Sequence, residues 1–309
     1  MTKMIIAGAQ IGGIQKDEPR EHVVARMIAL MDDAHAKGVT FIAYPEMTLT
    51  TFFPRFYVKN RAEFDHWFET EMPNATVQPL FDRARDYRMG FTFGYCELTP
   101  KGEHFNTSVI VSPDGEIVLS YRKTHLPGHA EYEPERSHQH LEKRYFLPGD
   151  TGFNVVRSQG IIMGMSICND RRWPESWRVM GLKGVQLVSI GYNTPSQNNL
   201  SKIEGVERRM YHHELSVCSG AYQNSTYAIA VAKCGLEDGN HMFAGSIIVD
   251  PDGFVIAKAQ GEGDELIVAE ADFDTCAFGK STVFNFDAHR RIEHYGLIAS
   301  QTGVKEPTE

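Results

Sequence analysis

The chain has 309 residues, 42% apolar and 23% charged, which is ordinary globular composition and enough to bury a large core. Its net charge of −9 argues against nucleic acid or an anionic membrane as partner, since both demand basic surface. No apolar run reaches the ~18 residues of a membrane span, and the short run after Met1 is no signal peptide.

Apolar runs bounded by turn residues alternate with stretches of helical period. The pattern predicts a strand at 4–10, a helix at 19–37, a strand at 39–45, a helix at 76–89 and a strand at 90–97. A hairpin follows, with arms at 106–111 and 116–122 around Pro113-Asp114-Gly115. The second half predicts the same order: strand 161–167, helix 174–183, strand 185–191, helix 203–221, strand 226–233 and a hairpin around Pro251-Asp252-Gly253. The two hairpins also match residue for residue by class from Ser108 and from Ser246, except at Glu116 against Phe254.

Such a repeat predicts an α+β fold with internal pseudo-twofold symmetry. Two mixed sheets, each with helices on one face, pack their other faces together as a four-layer α-β-β-α sandwich. A single domain over 1–309 is expected, with its core at about 4–272. The tail 273–309 carries Phe278, Phe284, Phe286, Tyr295, Leu297 and Ile298, so part of it should pack on the core or at a subunit interface. Five dispersed cysteines (96, 168, 218, 234, 276) without a CxxC pair read as reduced thiols in a cytoplasm.

Three polar residues end apolar strands, where open α/β sheets place ligands. Glu46 closes Phe41-Ile-Ala-Tyr-Pro-Glu46, Lys123 closes Ile117-Val-Leu-Ser-Tyr-Arg-Lys123, and Cys168 closes Ile161-Ile-Met-Gly-Met-Ser-Ile-Cys168. After Cys168 the string Asn-Asp-Arg-Arg-Trp-Pro-Glu175 starts a helix at about Pro174. A thiol facing a helix N-terminus and two arginines is expected to have a lowered pKa. Such a nucleophile needs a carboxylate to take its proton and an ammonium or main-chain N–H groups to receive an oxyanion.

These strings carry a resemblance. Pro45-Glu46, Arg122-Lys-Thr-His-Leu-Pro-Gly128 and Cys168-Asn-Asp-Arg-Arg-Trp-Pro-Glu175 resemble the three signatures of the nitrilase superfamily. Within it, Thr50-Thr-Phe-Phe-Pro-Arg55, His140-Leu-Glu-Lys-Arg-Tyr-Phe146, Gly191-Tyr-Asn-Thr-Pro195 and His294-Tyr-Gly-Leu-Ile298 resemble the N-carbamoyl-D-amino acid amidohydrolases. The likeness runs from about residue 4 to 298, and departs at 196–210 and 233–242, read as rims of the pocket. It implies Cys168 as nucleophile, Glu46 as general base and Lys123 as oxyanion stabiliser. It further implies the N–H of Asn169 in the oxyanion hole, and Glu142 as a second carboxylate positioning Lys123. Homo-oligomers, dimer or tetramer, follow from the same resemblance, with no cofactor.

The adjacent Arg171 and Arg172 suit capture of a substrate carboxylate, without a choice between them. Asn193 and Thr194 are further donors, and His125 and His140 are placed beside Lys123 and Glu142 to order the loop there. No histidine pattern matches a metal site, so no metal is expected. His212 and His213 read equally as helix surface or as substrate contacts. The expected reaction is hydrolysis of an N-carbamoyl amino acid, with a nitrilase, a simple amidase or an N-carbamoyl-β-amino acid hydrolase on the same centre as alternatives. A papain-like Cys–His pair stays open, whereas Gly164-Met-Ser-Ile-Cys168 lacks the second Gly of a serine-hydrolase elbow.

Overall fold

Neighbouring residues of the strands point to opposite faces, and here both faces are covered. Ile6, Phe41 and Ala43 join Met163, Met165 and Ile229 in one buried cluster. Ala7, Ala9 and Ile42 join Met27, Leu30, Leu80 and Phe81 of the helices in another. Strands buried on both sides read as continuous apolar runs rather than alternations, which is why they stand out in the sequence.

The computed structural model describes residues 2–60, 63–136, 138–196 and 205–308. The first half runs β1 (Lys3–Gly12), α1 (Arg20–Ala36), β2 (Phe41–Ala43), α2 (Gln78–Tyr87), β3 (Gly90–Leu98), β4 (His104–Val111) and β5 (Ile117–Arg122). A connecting stretch holds the short α3 (Glu142–Tyr145) and β6 (Val155–Ser158). The second half runs β7 (Ile161–Ile167), α4 (Pro174–Leu182), β8 (Leu187–Tyr192), α5 (Val206–Asn224), β9 (Tyr227–Glu237), β10 (Asn240–Met242), β11 (Ile247–Val249) and β12 (Val255–Lys258). It is followed by β13 (Glu265–Asp272), α6 (Thr275–Ser281), α7 (Phe286–His289) and α8 (Gly296–Ser300).

One sheet has the order β13-β1-β2-β3-β4-β5 and the other β6-β7-β8-β9-β11-β12. Step by step the pairings agree in direction: antiparallel, parallel, parallel, antiparallel, antiparallel. Even the bulges correspond, at Ile110/Val111 and at Ile248/Val249. The predicted α-β-β-α sandwich with pseudo-twofold symmetry is therefore the observed one. The sheets meet where the end of β1 runs beside β9, Ile11 opposite Lys233.

The differences from the sequence reading are local. β6 and β10 have four and three residues, too few to display a period. β13 was not expected as a strand, because the half it completes begins more than two hundred residues earlier. β2 stops at Ala43, since Pro45 cannot donate to a ladder. α5 continues to Asn224; the predicted residues 203 and 204, with most of the 196–210 rim, lie outside the described residues. Part of the tail packs on the core: Phe284 meets Tyr222 edge-on at 4.9 Å, and the Arg178 guanidinium lies 4.2 Å from the Phe286 ring centre. Phe278, Leu297 and Ile298 stay exposed. No described helix is long and apolar enough to cross a membrane.

Two glycines bring strand ends against Glu46. A Cβ on Gly191 of β8 would stand 2.4 Å from Glu46 N, and one on Gly94 of β3 would stand 2.9 Å from Glu46 Cα. Main chain cannot yield as a flexible side chain can. Gly191→Ala is expected to lower the unfolding free energy by about 2–3 kcal/mol in urea titration. Gly296→Ala, which meets nothing within 4 Å, should change it by no more than about 0.5 kcal/mol.

Candidate active site

β7 delivers its last residue, Ile167, to a sharp turn in which Cys168 adopts φ +50. For a non-glycine residue this costs on the order of 1–2 kcal/mol, so the surroundings must impose it. Asp170 does much of that. Its buried carboxylate accepts from the His125 N–H at 2.8 Å and His125 Nδ1 at 2.7 Å on one oxygen. The other oxygen accepts from the Tyr121 hydroxyl at 2.7 Å and the Ile167 N–H at 3.3 Å. Arg171 donates through Nη1 to the Cys168 carbonyl at 2.6 Å, its guanidinium 4.6 Å from the Tyr192 ring centre.

The end of β2, the end of β5 and the start of α3 bring three charges together. Lys123 Nζ donates to Glu46 Oε1 at 2.8 Å and to Glu142 Oε2 at 2.5 Å, and none of the three side chains is exposed. Asn106 donates to Glu46 Oε1 at 2.7 Å, and His140 Nε2 to Glu142 Oε1 at 2.9 Å. Glu46 Oε2 has no hydrogen-bond partner among the described residues. Asn193 ties the clusters together: its Nδ2 donates to the Glu46 carbonyl at 2.8 Å, and its own carbonyl accepts from the Cys168 thiol at 3.6 Å.

Burial raises the pKa of Glu46 above the usual carboxylate value, against the pull of Lys123 and with Glu142 adding to it. Burial acts on Glu142 too, but there Lys123 and the His140 hydrogen bond outweigh it and hold the carboxyl low. Burial disfavours the Lys123 ammonium, yet Cys168, Glu142 and Glu46 carry its pKa above the ordinary lysine value. The thiol departs from expectation. Burial, then Glu46, raise the pKa of Cys168, and Lys123 and Arg171 offset this only in part. The helix start and arginines were expected to lower it, but burial of the thiol outweighs the nearby cations, and Glu46 adds to it.

Cys168 opens into a cavity of about 410 Å³ whose walls include Asn169, Arg172, Asn193, Thr194 and His140. Two expectations are corrected here. Arg171 is 1% exposed and points under the turn, so it cannot hold a substrate carboxylate. His125, expected to order the loop beside Lys123 and Glu142, does so through Asp170 instead and stacks on Trp173 at 4.8 Å, away from the cavity walls. His140 both binds Glu142 and reaches the cavity. The adjacent histidines part company: His212 lines the cavity, while His213 is buried against Tyr192 and bonded to the Gly245 carbonyl at 3.1 Å. Burial, with Arg171 adding, holds His213 neutral, its pKa well below the usual histidine value.

Asp170, Tyr121, Asn106 and Arg209 were missed as site residues. Asp170 lies inside the Cys168 string, but nothing in the sequence shows that its carboxylate turns back to bind His125 and Tyr121. Arg209 lies in the 196–210 stretch read as a rim, and does line the cavity. Among the described residues, no group of three or more His, Cys, Asp or Glu is placed to hold a metal ion.

A strand-end cysteine beside a buried Glu–Lys–Glu cluster in a double-sheet sandwich defines a carbon-nitrogen hydrolase. The chain matches that family over residues 6–280 and belongs to it. It is an amidase of the nitrilase superfamily, a hydrolase of C–N bonds other than peptide bonds. An N-carbamoylputrescine amidase of Oryza sativa subsp. japonica is 27% identical over 98% of this chain and 97% of its own. An (R)-stereoselective amidase of a Pseudomonas species is 30% identical over 77% of this chain and 75% of its own. Among solved structures, a carbon-nitrogen hydrolase of Helicobacter pylori G27 has a TM-score of 0.83 at 22% identity, covering 97% of this chain and 99% of that one.

The electrostatics predict how the thiol titrates. Alkylation of Cys168 by iodoacetamide, followed by intact mass against pH, should have its midpoint above the usual thiol range of about 8.5. Glu46→Gln removes the neighbouring negative charge, so the midpoint should move to lower pH.

Proposed function

We propose that the chain hydrolyses the carbamoyl group of N-carbamoyl amino acids, of D configuration as the resemblance of the longer strings implies. Cys168 is the nucleophile in this reading, Glu46 the general base, Lys123 the oxyanion stabiliser and Glu142 the carboxylate that positions Lys123. The observation that carries the substrate class is charge. Arg172, Arg209, His140 and His212 line the catalytic cavity, and no carboxylate does among the described residues. A substrate carboxylate is attracted to such walls, whereas the ammonium of N-carbamoylputrescine is repelled. With Arg171 buried, Arg172 is the one of the pair that meets the carboxylate.

The resting thiol keeps its proton, and Glu46 Oε2 is the open acceptor for it. Proton transfer frees the thiolate to attack the carbamoyl carbon. Lys123 and the Asn169 N–H receive the negative oxygen. Ammonia leaves with the proton that Glu46 returns, since it departs poorly otherwise. Glu46 then activates water, which cleaves the S-carbamoyl enzyme; the released carbamate loses CO2 to give the amino acid. The exposed Phe278, Leu297 and Ile298 of the tail support the expectation that copies of the chain assemble.

Ammonia release across N-carbamoyl D-, L- and β-amino acids, N-carbamoylputrescine, simple amides and nitriles tests the substrate class. The N-carbamoyl D-amino acids should be fastest; faster turnover of N-carbamoylputrescine or a simple amide would refute the reading. Folded Cys168→Ala should keep less than a tenth of kcat. Losing one partner of a desolvated charge pair costs on the order of 2–5 kcal/mol. Arg172→Ala should therefore lose roughly thirtyfold or more in kcat/KM on the acid, but little further on the matching neutral amide. Equal losses on both would assign Arg172 to the turn instead.

A further inference from the structure

A second cavity, of about 740 Å³, lies beside the catalytic one, and His140 and Pro195 belong to the walls of both. Its remaining walls are basic and rich in rings. Phe56, Tyr57 and Tyr132 line it together with Lys16 and Arg136. The rings of Tyr57 and Tyr132 stand 4.9 Å apart at a tilt, though each tyrosine is nearly half exposed. Lys16 Nζ lies 5.3 Å from the centre of the Phe56 ring. Cys168 and the carboxylate-binding Arg172 belong to the smaller cavity alone, so the hydrolysis itself makes no use of this space.

A carbamoyl amino acid has three substituents on its α-carbon to place. The carbamoylated amine presents its carbonyl carbon to Cys168 and the carboxylate goes to Arg172, which leaves the side chain. The larger cavity lies on the other side of His140 and Pro195 from Cys168, the nearest described space beyond the small cavity that a side chain could enter. An aliphatic chain there would desolvate Lys16 and Arg136 and give them nothing in return. An aromatic ring compensates, because its face attracts a cation and its edge packs on another ring.

We propose that the larger cavity is the side-chain subsite, and that it selects carbamoyl amino acids with aromatic side chains over aliphatic ones. This rests on the carbamoyl amino acid reading above, and the test separates the two. Wild-type kcat/KM is measured for N-carbamoyl-alanine, -leucine, -phenylalanine and -tryptophan of one configuration. Turnover of the alanine compound tests the parent reading; if none of the four is hydrolysed, that reading falls and the subsite with it. The two aromatic compounds should exceed leucine by about tenfold, which separates ring contacts from mere apolar area. Tyr132→Ala should lower the phenylalanine-to-alanine ratio about fivefold, and Tyr132→Phe should preserve it. A ratio cancels any general loss of active protein. Equal rates for leucine and phenylalanine in wild type, or an unchanged ratio in Tyr132→Ala, would overturn the assignment.

Discussion

One ammonium, Lys123, stands between two carboxylates where water does not reach, and the rest of the site is arranged around that contact. Taking three charges out of water is costly, and removing one partner of such a buried pair typically costs about 3–5 kcal/mol. The cluster persists because most of its carboxylate oxygens are occupied: His140 takes the second Glu142 oxygen, and Asn106 joins Lys123 on Glu46 Oε1. Among the four carboxylate oxygens of Glu46 and Glu142, Glu46 Oε2 is the one without a partner among the described residues. The same arrangement sets the pKa values of two chemically alike carboxyls apart, Glu46 high and Glu142 low.

The turn at Cys168 obeys a similar logic of over-determination. Cys168 sits in a backbone conformation that its side chain disfavours, and the Asp170 and Arg171 hydrogen bonds hold it there. Those bonds reach β5 and the loop after it through Tyr121 and His125. The elbow is therefore fastened to the strand that also supplies Lys123, which keeps thiol and ammonium in register.

Much of this was legible in the sequence, for identifiable reasons. Glu46, Lys123 and Cys168 each follow a mainly apolar strand, broken only by Ser120 and Arg122 before Lys123 and by Ser166 before Cys168, and a polar residue in that position marks a strand end. The twofold repeat was legible because hairpins of like sequence recur in like order. What was not legible is direction. Arg171 and Arg172 are neighbours of one type, and only the left-handed turn at Cys168 decides that one is buried and the other exposed. The histidine pair on α5 divides for the plainer reason that adjacent helix positions point about 100° apart. The thiol's pKa was misread because a list of nearby cations omits the desolvation that outweighs them.

The placement of β13 carries a consequence for how the chain comes into being. The second sheet takes its outer antiparallel strand, β6, from just ahead of β7, but the first takes β13 from the far end of the second half. As the polypeptide leaves the ribosome, β1 emerges early and its eight-residue partner stretch emerges after some 260 others. For that interval the flank of β1 is an unpaired apolar edge of the kind that recruits strands from other chains. The half that is made first is thus the half that is finished last, and its safe passage depends on the late arrival of Glu265–Asp272.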